Sequence, residues 1–458
     1  MTKSEGMNRR RFLRGAAGVA TGAALGFPAI VPSSVLGQYG TVVPSERVVM
    51  GFIGVGQQGT ANLEVFLSEP DVQVVGVCDA EERSNLYYDG EFHGVEPAYQ
   101  KVSDYYAANQ RVFGGGGCEI YDDFRRMLTR DDIDAVAICT PDHWHAVMAI
   151  YALRSGKDVY CEKPLAHTVL GGREVVEAAR QYGQILQTGS LARSNDDVRF
   201  ACELVLNGRI GKLQTIRAGI PTDQPYHETA RAMAGPQPVM TPPSSLDYEM
   251  WLGLATYAPY TENRCHFWWR FISDYGGGEV AFGGSDVLDI AQLGNGTDET
   301  GPKRITARGS RLPDGLFDAF MDYDFEAEYD NGVRLIGSNR GSRGVRFEGG
   351  DGWIFVSADG DGLQAEPEAV LKEEIGPNEI RLGRSEGHHR DFLNSIKSGV
   401  EPMAAAEVGH RTASLCHLIN IALATGSPLE WNSRMERIPN DYDADQMLSR
   451  HFRSPWHI

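Results

Sequence analysis

Residues 47 to 59 read Arg47-Val48-Val49-Met50-Gly51-Phe52-Ile53-Gly54-Val55-Gly56-Gln57-Gln58-Gly59. The first half of this run is apolar and rich in β-branched residues, which is typical of a strand buried on both faces of a parallel sheet. It then breaks into G-x-G-x-x-G, and apolar residues at helical spacing follow. Gly54 is expected to allow a tight turn, Gly56 to let the backbone approach a pyrophosphate, and Gly59 to let helix and strand pack closely. The order strand, glycine turn, helix therefore predicts a dinucleotide-binding site.

A second apolar run completes this fingerprint. Residues 72 to 79 are predicted to form another buried strand, which ends in an acid, Asp79. Because Asp79 lies about 20 residues beyond Gly59, its carboxylate is expected to accept hydrogen bonds from the adenosine ribose. An acid at this point repels a 2′-phosphate, which favours NAD over NADP, although Arg83 keeps NADP open. The alternative is two core strands of another α/β fold, with Asp79 as a helix cap.

Length, composition and charge narrow the class of protein. A length of 458 residues predicts two or three domains, and 42% hydrophobic with 23% charged residues is ordinary for a soluble globular protein. The formal net charge of −19 argues against binding to nucleic acid or to anionic membrane surfaces. The seven cysteines contain no C-x-x-C pair, so we expect neither a disulfide framework nor a metal site.

The first 37 residues differ in kind from the rest. Arg9, Arg10 and Arg11 precede Phe12-Leu13 and an Ala/Gly-rich segment that is too weakly hydrophobic for a comfortable membrane span. Twin arginines followed by x-Phe-Leu look like a Tat export signal. We therefore expect residues 1–37 to be a Tat-type signal segment and the protein to be periplasmic or otherwise exported, with no stable membrane span. The alternative is a disordered basic tail.

Strands alternating with helices continue to about residue 190. This pattern predicts an α/β fold that begins with a Rossmann domain, a doubly wound parallel sheet, over residues 45–190. A polar, Tyr-rich stretch at about 80–111 is predicted to be one of its helices. From about residue 192, polar and apolar residues alternate, and Asp330-Asn331-Gly332 marks a hairpin. Residues 191–435 are therefore predicted to form a C-terminal domain with a large, mainly antiparallel open sheet, followed by a C-terminal tail at 436–458.

Two further motifs lie at the ends of predicted strands. They are Thr140-Pro141-Asp142-His143-Trp144-His145 and Glu162-Lys163-Pro164. A glycine-rich βαβ start, then T-P-x-x-x-H, then E-K-P, then an antiparallel second domain resembles the Gfo/Idh/MocA oxidoreductase family. The resemblance covers nearly everything after the first 37 residues.

The resemblance implies a cofactor, a class of substrate and an assembly. Members hold NAD or NADP, most act on sugars, cyclitols or related polyols, and the C-terminal sheet often mediates oligomerisation. We therefore expect NAD, with NADP as the alternative, a sugar or cyclitol substrate, and a homo-oligomer formed through the C-terminal sheet. The residues expected to bind the cofactor are Gly54, Gly56, Gly59, Asp79, Thr140, Pro141, His143, His145, Glu162 and Lys163.

The implied chemistry depends on Lys163. In the family, the lysine of E-K-P lies beside the nicotinamide and the reacting hydroxyl, where its ammonium polarises an oxygen or relays a proton. Pro164 is expected to follow a cis peptide that orients Lys163. The plain alternative is a surface lysine after a strand.

The second domain departs from the family pattern. Relatives of this exported type show a glycine-rich run, then T-D-W-G-x-H and, three residues later, an aspartate. Registered on Gly278, Asp289 and Gln292, the usual catalytic acid falls on Phe282 and the usual histidine on Asp286. Phe282 carries no proton, whereas Asp286 is a candidate second base, although it is not an imidazole with a pKa near neutrality.

Three residues near this run are expected to contact the substrate. They are His266, Arg270 and Asp289. His143 and His145 are further candidates for proton transfer, and a capping or packed role is the alternative for each histidine.

Three functions fit this sequence. The first is an exported NAD(P)-dependent oxidoreductase that transfers hydride between nicotinamide and a carbohydrate or polyol hydroxyl, with Lys163 and Asp286 as the catalytic pair. The second is redox-neutral, NAD-dependent sugar cleavage or epimerisation, in which the cofactor returns to its starting state. The third is a catalytically retired member that binds NAD and sugar, and Phe282 is the feature that favours it.

Overall fold

The computed structural model describes residues 42–109, 117–312, 315–360 and 362–457, and these fold into two domains with one large sheet each. The predicted export signal, residues 1–37, lies outside the described residues. The predicted α/β class is confirmed, since a parallel sheet comes first along the chain and a mainly antiparallel sheet second.

The first sheet has six parallel strands. They are β1 (Val48–Ile53), β2 (Val72–Cys78), β3 (Glu119–Tyr121), β4 (Ala135–Ile138), β5 (Asp158–Cys161) and β6 (Leu186–Thr188). Their order across the sheet is β3-β2-β1-β4-β5-β6. All residues of β1, β4 and β5 are buried, because helices cover both faces of the sheet. The strand order reverses between the neighbours β1 and β4, so a crevice opens at their carboxyl ends.

Helices connect these strands. They are α1 (Gln57–Ser68), α2 (Val95–Ala108), α3 (Phe124–Leu128), α4 (Asp142–Arg154) and α5 (Val169–Tyr182). Their ends follow local sequence signals. At the start of α5 the Thr168 side chain accepts a hydrogen bond from Gly171 N, and Gly183 ends the helix in the left-handed conformation.

The second sheet has eight strands. They are β7 (Leu213–Gly219), β8 (Arg304–Arg311), β9 (Phe320–Glu328), β10 (Arg334–Ser338), β11 (Gly344–Gly349), β12 (Trp353–Ser357), β13 (Leu363–Glu366) and β14 (Leu429–Glu430). Their order is β13-β12-β11-β7-β10-β9-β8-β14, and neighbours are antiparallel except β7 and β10. Burial alternates along β9, because one face packs on helices and the other faces outward. The predicted hairpin at Asp330-Asn331-Gly332 is confirmed, since β9 and β10 pair on either side of it.

Helices cover the inner face of the second sheet. The helices of this half are α6 (Asp196–Leu206), α7 (Pro225–Ala232), α8 (Tyr248–Leu252), α9 (Gly278–Asn295), α10 (His388–Ser398), α11 (Ala406–Thr425) and α12 (Tyr442–Gln446). Helix α11 contacts α9, α5 of the first domain and β8. Most residues of α9 are buried, so side chains that α9 presents to the crevice stand on a well-packed support.

One predicted helix is shorter than expected. Residues 80–94 form a loop, and α2 begins only at Val95. Gly90 and Gly94 have φ values of +71° and +117°, which interrupt a helix, and Ser84 pairs with His93 in an isolated bridge.

The predicted C-terminal tail packs against both domains, and its contact with the second is a hydrogen bond of 2.9 Å from Arg453 N to Leu254 O. Within residues 436–457, Leu448 O accepts a hydrogen bond of 3.1 Å from Leu170 N at the start of α5. The Trp456 ring lies edge-on to Trp144 of α4, with 4.7 Å between ring centroids. This segment therefore forms part of the folded body.

The described residues also bear on cysteine chemistry and membranes. All seven cysteines are free, and five of them are buried. In the described part of the chain, no helix is both long and apolar enough to cross a membrane. The same residues contain no cluster of three or more His, Cys, Asp or Glu side chains suited to a metal ion.

Candidate active site

A cavity of about 640 Å³ lies where the carboxyl ends of β1, β4 and β5 face the second domain. Both domains contribute to its walls, so the site is an interdomain cleft at the position that the strand order dictates. The predicted site residues in its lining are Gly54, Gly56, Asp79, Thr140, Pro141, His145, Glu162, Lys163, His266, Arg270 and Asp286.

The glycine turn brings the start of α1 against the end of β4. Gly54 has a φ of +82°, and a Cβ on it would lie 2.7 Å from the carbonyl carbon of Cys139. A Cβ on Gly59 would overlap the carbonyl oxygen of Gly54, so glycine is required for this helix and strand to pack. Gly59 therefore shapes the turn from behind and is not among the residues that line the cavity.

Asp79 closes the turn from the end of β2. Its carboxylate accepts hydrogen bonds from Val55 N at 2.7 Å and from Glu81 N at 3.0 Å. Burial raises the pKa of Asp79, and these two hydrogen bonds partly oppose that shift. Each carboxylate oxygen has a further lone pair, so acceptors remain for a ribose hydroxyl.

Tyr87 covers Gly56, which the sequence did not indicate. A Cβ on Gly56 would lie 2.7 Å from Cε1 of the Tyr87 ring. The ring also packs edge-on against His93 and His266, with centroid distances of 4.9 Å and 5.0 Å. The absence of a side chain at Gly56 therefore makes room for the Tyr87 ring, as well as for the pyrophosphate that the sequence predicted there.

The two histidines of the T-P motif have different partners. His145 lines the cavity, with Nδ1 2.7 Å from Pro164 O and Nε2 2.8 Å from Thr140 O, so it ties the two motif turns together. His143 Nε2 lies 3.1 Å from Trp251 O, and burial lowers the pKa of His143 to about 3. Residues two apart on a helix point about 200° apart, and His143 is not among the lining residues. The structure thus does not support His143 as a cofactor contact.

Glu162 links the E-K-P motif to the cofactor turn. Asn62 of α1 donates to its carboxylate at 2.9 Å, and Lys163 N donates to it at 3.2 Å. Burial raises the pKa of Glu162, and these bonds and the Lys163 charge oppose the shift. The carboxylate therefore fixes the position of α1 relative to the end of β5.

Lys163 reaches from the first domain to α9. Its Nζ donates to the main-chain carbonyl of Phe282 at 2.7 Å and lies 3.3 Å from Oδ2 of Asp286. The Lys163–Pro164 peptide is cis, as expected. The side chain of Lys163 is only 14% exposed, so its ammonium belongs to the cavity and not to the outer surface.

Asp286 lies between two cations. Besides Lys163, its Oδ2 accepts a hydrogen bond of 2.6 Å from Nη2 of Arg343, and Arg343 in turn pairs with Asp359. Asp286 therefore neutralises and orients the catalytic lysine that the sequence predicted.

Phe282 occupies the position of the family acid and also lies between two cations. Lys163 Nζ and the Arg270 guanidinium each lie 4.2 Å from the centroid of its ring. Both distances are within the range of cation–π attraction. The ring thus holds two positive charges near each other without titrating.

Asp142 is a site residue that the sequence analysis did not single out. It is the first residue of α4, is 5% exposed and lines the cavity. Burial raises its pKa to about 7, although the charges of Arg270 and Lys163 oppose this. A cavity carboxyl group with a pKa near neutrality suits general acid–base chemistry. Its place directly after Pro141 at a strand end was the available signal.

The remaining predicted substrate contacts are divided between the cavity and the core. His266 lines the cavity, and its Nε2 lies 3.1 Å from Oε2 of Glu81. Asp289 is fully buried and accepts hydrogen bonds from Arg193 Nε at 2.7 Å and Thr412 Oγ1 at 2.9 Å. It lies one helical turn beyond Asp286 and is not among the lining residues, so the structure does not support it as a substrate contact.

The cavity has the features that a dinucleotide requires. Helix α1 begins at Gln57 with no side-chain cap, which leaves N–H groups of its first turn for phosphate oxygens. Asp79 keeps acceptors for a ribose, and the cavity runs on from the turn to Lys163. The residues present therefore fit NAD.

Fold and site together define a two-domain dinucleotide-binding protein with a lysine-based interdomain site. Residues 48–190 match the description oxidoreductase family, NAD-binding Rossmann fold, and residues 224–458 match oxidoreductase family, C-terminal alpha/beta domain, both of the Gfo/Idh/MocA family. The chain belongs to the Gfo/Idh/MocA oxidoreductase family, and its first domain is an NAD-binding Rossmann domain.

Curated relatives match part of the chain. An alpha-N-acetylgalactosaminidase of Shewanella oneidensis is 31% identical over 185 residues, 38% of this chain and 37% of the relative. A glycosyl hydrolase family 109 protein of Saccharopolyspora erythraea is 29% identical over 223 residues, 46% of this chain and 45% of the relative. The matched region thus spans less than half the length of these relatives.

Solved structures share the fold over most of the chain. The WlbA dehydrogenase from Bordetella pertussis, in complex with NADH and UDP-GlcNAcA, has a TM-score of 0.57 and 15% identity, covering 84% of this chain and 99% of that one. The aldose-aldose oxidoreductase from Caulobacter crescentus, complexed with glycerol, has a TM-score of 0.56 and 17% identity, with coverage of 84% and 99%.

Proposed function

We propose that this protein is an NAD-dependent oxidoreductase acting on a CH–OH group of a carbohydrate or polyol. The observation that carries the proposal is the position of Lys163, whose ammonium lies in one cavity with the dinucleotide turn and with side chains of the second domain. Membership of the oxidoreductase family and the sugar-related names of structural neighbours support it.

The first domain supplies the groups that would hold NAD. The uncapped start of α1 suits the pyrophosphate, Asp79 suits the adenosine ribose, and Thr140, Pro141 and Glu162 line the cavity further on. When bound, NAD supplies hydride-transfer chemistry toward a carbinol carbon.

The chain's own residues would handle the proton of the reacting hydroxyl. Lys163 has three N–H donors, and the Phe282 carbonyl and Asp286 engage two of them. The third would hold the substrate oxygen, and the ammonium charge would stabilise negative charge there. Asp286 orients the lysine and accepts a proton relayed through it, while Asp142 is the second acid–base group in the same cavity.

Purified full-length protein tests this proposal directly. We expect native mass spectrometry and absorbance to show a nicotinamide nucleotide that co-purifies or binds on addition. We also expect a change in nicotinamide absorbance with at least one member of a panel of sugars, polyols and cyclitols. Absence of nucleotide binding together with absence of turnover would rule the proposal out.

A redox-neutral reaction is the second candidate, and the names of the curated relatives favour it. The matched relatives are called alpha-N-acetylgalactosaminidase and glycosyl hydrolase family 109 protein. If this chain cleaves or epimerises sugars, product should form from an aryl glycoside or an aldose with no net change in nicotinamide absorbance. Release of free sugar that depends on bound NAD would select this candidate over net oxidation.

A retired, binding-only protein is the third candidate, and Phe282 is the observation behind it. The double variant Phe282→Asp, Asp286→His restores the family's acid and histidine at the two positions on α9. If the wild type binds NAD without turnover and this variant turns over, the binding-only function takes precedence.

We also propose that the protein is exported by the Tat route and assembles through the outer face of the second sheet. Replacing Arg9, Arg10 and Arg11 by lysine should leave precursor in the cytoplasm, and mature protein outside the cell at unchanged levels would refute export.

Light scattering of the purified protein should give a mass above one chain, and a charge reversal at exposed Arg308 should reduce that mass.

A further inference from the structure

Arg270 is a buried cation held by aromatic rings. It lies in the 3₁₀ helix Trp268–Phe271, is 9% exposed and lines the cavity. Its guanidinium carbon lies 3.6 Å from the ring centroid of Phe267 and 4.2 Å from that of Phe282. The two rings fix the plane of the guanidinium while leaving its charge without an ionic partner.

No acceptor in the described part of the chain pairs with Arg270. Its Nε and Nη1 are buried without a hydrogen-bond partner, and no carboxylate of those residues lies within ion-pair distance. Two carboxyl groups act on Arg270 only at longer range. Glu279 is 3.0 Å from His227 Nε2, and Asp142 makes no ion pair with Arg270. Burial lowers the pKa of Arg270 to about 10, which reflects the cost of a desolvated charge. Such a cost is normally offset by an anion.

The charges of the cavity define what kind of anion fits. Lys163 and Arg343 share Asp286, and Arg343 also pairs with Asp359. Of the three cavity cations Lys163, Arg270 and Arg343, Arg270 is then the one that no carboxylate of the described residues contacts, so it offers a site for one negative charge. A dianionic phosphate would bring a second charge for which no other unpaired cation of the described residues lines the cavity, whereas a carboxylate matches in charge and in planar shape.

The position of Arg270 relates this anion to the reacting group. Arg270 and Lys163 contact the same Phe282 ring, each at 4.2 Å from its centroid. A single sugar-sized molecule therefore spans the two cationic groups. One end would present a hydroxyl to Lys163 and the other an acid to Arg270.

We propose that Arg270 binds the carboxylate of the substrate, so that the substrate class is a sugar acid, of the uronic or aldonic type. This inference rests on the proposed function for the identity of the reacting hydroxyl. It makes Arg270 the residue that distinguishes an acidic sugar from a neutral one.

Binding to the NAD-loaded full-length protein tests the inference without requiring turnover. Calorimetric titrations would compare a panel of aldonic and uronic acids with the corresponding neutral sugars and with sugar phosphates. A charged hydrogen bond of this kind gives about a 10- to 100-fold preference, so we expect at least one acid to bind that much more tightly than its neutral counterpart. Arg270→Gln should abolish the preference.

Two further variants keep the test decisive. Arg270→Lys keeps the charge and loses the planar fork, so it should fold, retain NAD affinity and lose most of the preference for the acid. Arg311→Gln is the matched control, because Arg311 also stacks on an aromatic ring, Phe320 at 4.7 Å, but is exposed and outside the cavity. It should bind the acid as the wild type does.

Several outcomes would overturn the inference. If no acid binds more tightly than its neutral counterpart, or if Arg270→Lys and Arg270→Gln both keep the preference, Arg270 does not read a carboxylate. A larger Arg270-dependent gain for sugar phosphates would replace the carboxylate by a phosphate. Arg270-dependent binding of an acid without nucleotide binding or nicotinamide turnover would refute the proposed function and leave this inference standing.

Discussion

Among single residues, the loss of Lys163 should have the largest effect on chemistry. Lys163→Met removes the ammonium and its contacts with the Phe282 carbonyl and Asp286 while keeping an apolar stem of similar length. We expect turnover to fall by about 10²- to 10⁴-fold, the usual contribution of a positioned acid–base group, with NAD affinity nearly unchanged. Nicotinamide absorbance and calorimetric titration with NAD measure the two quantities. Lys101→Met, on the exposed surface of α2, is the control. Wild-type turnover in Lys163→Met would refute the assignment of the lysine.

Asp142 should make both activity and stability depend on pH. Its pKa of about 7 lies above the ordinary value near 3.8, so the folded state holds a proton that the unfolded state releases between these values. This proton contributes stability that is complete below about pH 4 and is lost as the pH rises through about 7. Asp142→Asn should remove that part of the slope, so that the variant gains stability relative to wild type as the pH rises.

Urea unfolding of both proteins at pH 5 and pH 8 measures this difference. The pH–rate profile of the wild type should show an inflection near the pKa of Asp142, about 7, which Asp142→Asn loses. A stability difference between the two proteins that does not change with pH would contradict the raised pKa.

At the level of elements, Gly56 of the glycine turn has two roles: it leaves room for the Tyr87 ring, and it lets the pyrophosphate approach. One double variant can separate them. A Cβ on Gly56 meets the Tyr87 ring at 2.7 Å, so Gly56→Ala should displace the 80–94 loop and lower the melting temperature. Adding Tyr87→Ala relieves that contact but also removes the ring's packing on His93 and His266, so the two substitutions together should lower the melting temperature by less than the sum of their separate effects. NAD affinity should stay low in the double variant, because the Cβ still obstructs the pyrophosphate. Full recovery of NAD affinity in the double variant would show that Tyr87 alone requires this glycine.

Local patterns predicted the elements whose signals are complete within a few residues. The run from Val72 to Asp79 became β2, which ends one residue earlier at Cys78, and Asp330-Asn331-Gly332 became a hairpin. The 80–94 loop was wrongly predicted as helical, because its Tyr-rich composition suits a helix and the effect of Gly90 and Gly94 depends on their positive φ. Tyr87 was therefore missed, since only the folded loop brings its ring over Gly56.

For the candidate site too, residues marked by a local sequence signal were predicted, and residues whose role depends on the folded chain were not. Strand-end motifs placed Lys163 in the cavity, because a parallel sheet gathers such ends at one edge. His143 and Asp289 lie outside the cavity lining and stay predictions, because motif membership does not reveal which face of a helix a residue occupies. Asp142 was missed because its acid–base character arises from burial between two domains.

At the level of the whole molecule, the C-terminal segment should stabilise the first domain, although it follows the second domain along the chain. Trp456 is 9% exposed and packs on Trp144 and Phe124, with centroid distances of 4.7 Å and 6.1 Å. Trp456→Ala should lower the free energy of unfolding by about 3 kcal/mol, as for other large aromatic truncations. Tyr442→Ala, at a side chain that is 76% exposed in the same segment, should have little effect. Equal stabilities of the two variants by urea unfolding would contradict this role.

The contact of Lys163 with α9 affects which substitutions evolution can accept at position 282. The partner of Lys163 on α9 is the main-chain oxygen of residue 282, and every amino acid supplies the same oxygen at that position. Substitution at 282 can therefore exchange one side chain for another while the anchor of the ammonium persists. A single substitution at position 282 can therefore change the chemistry or the substrate range while the hydrogen bond that holds Lys163 in the cleft is kept.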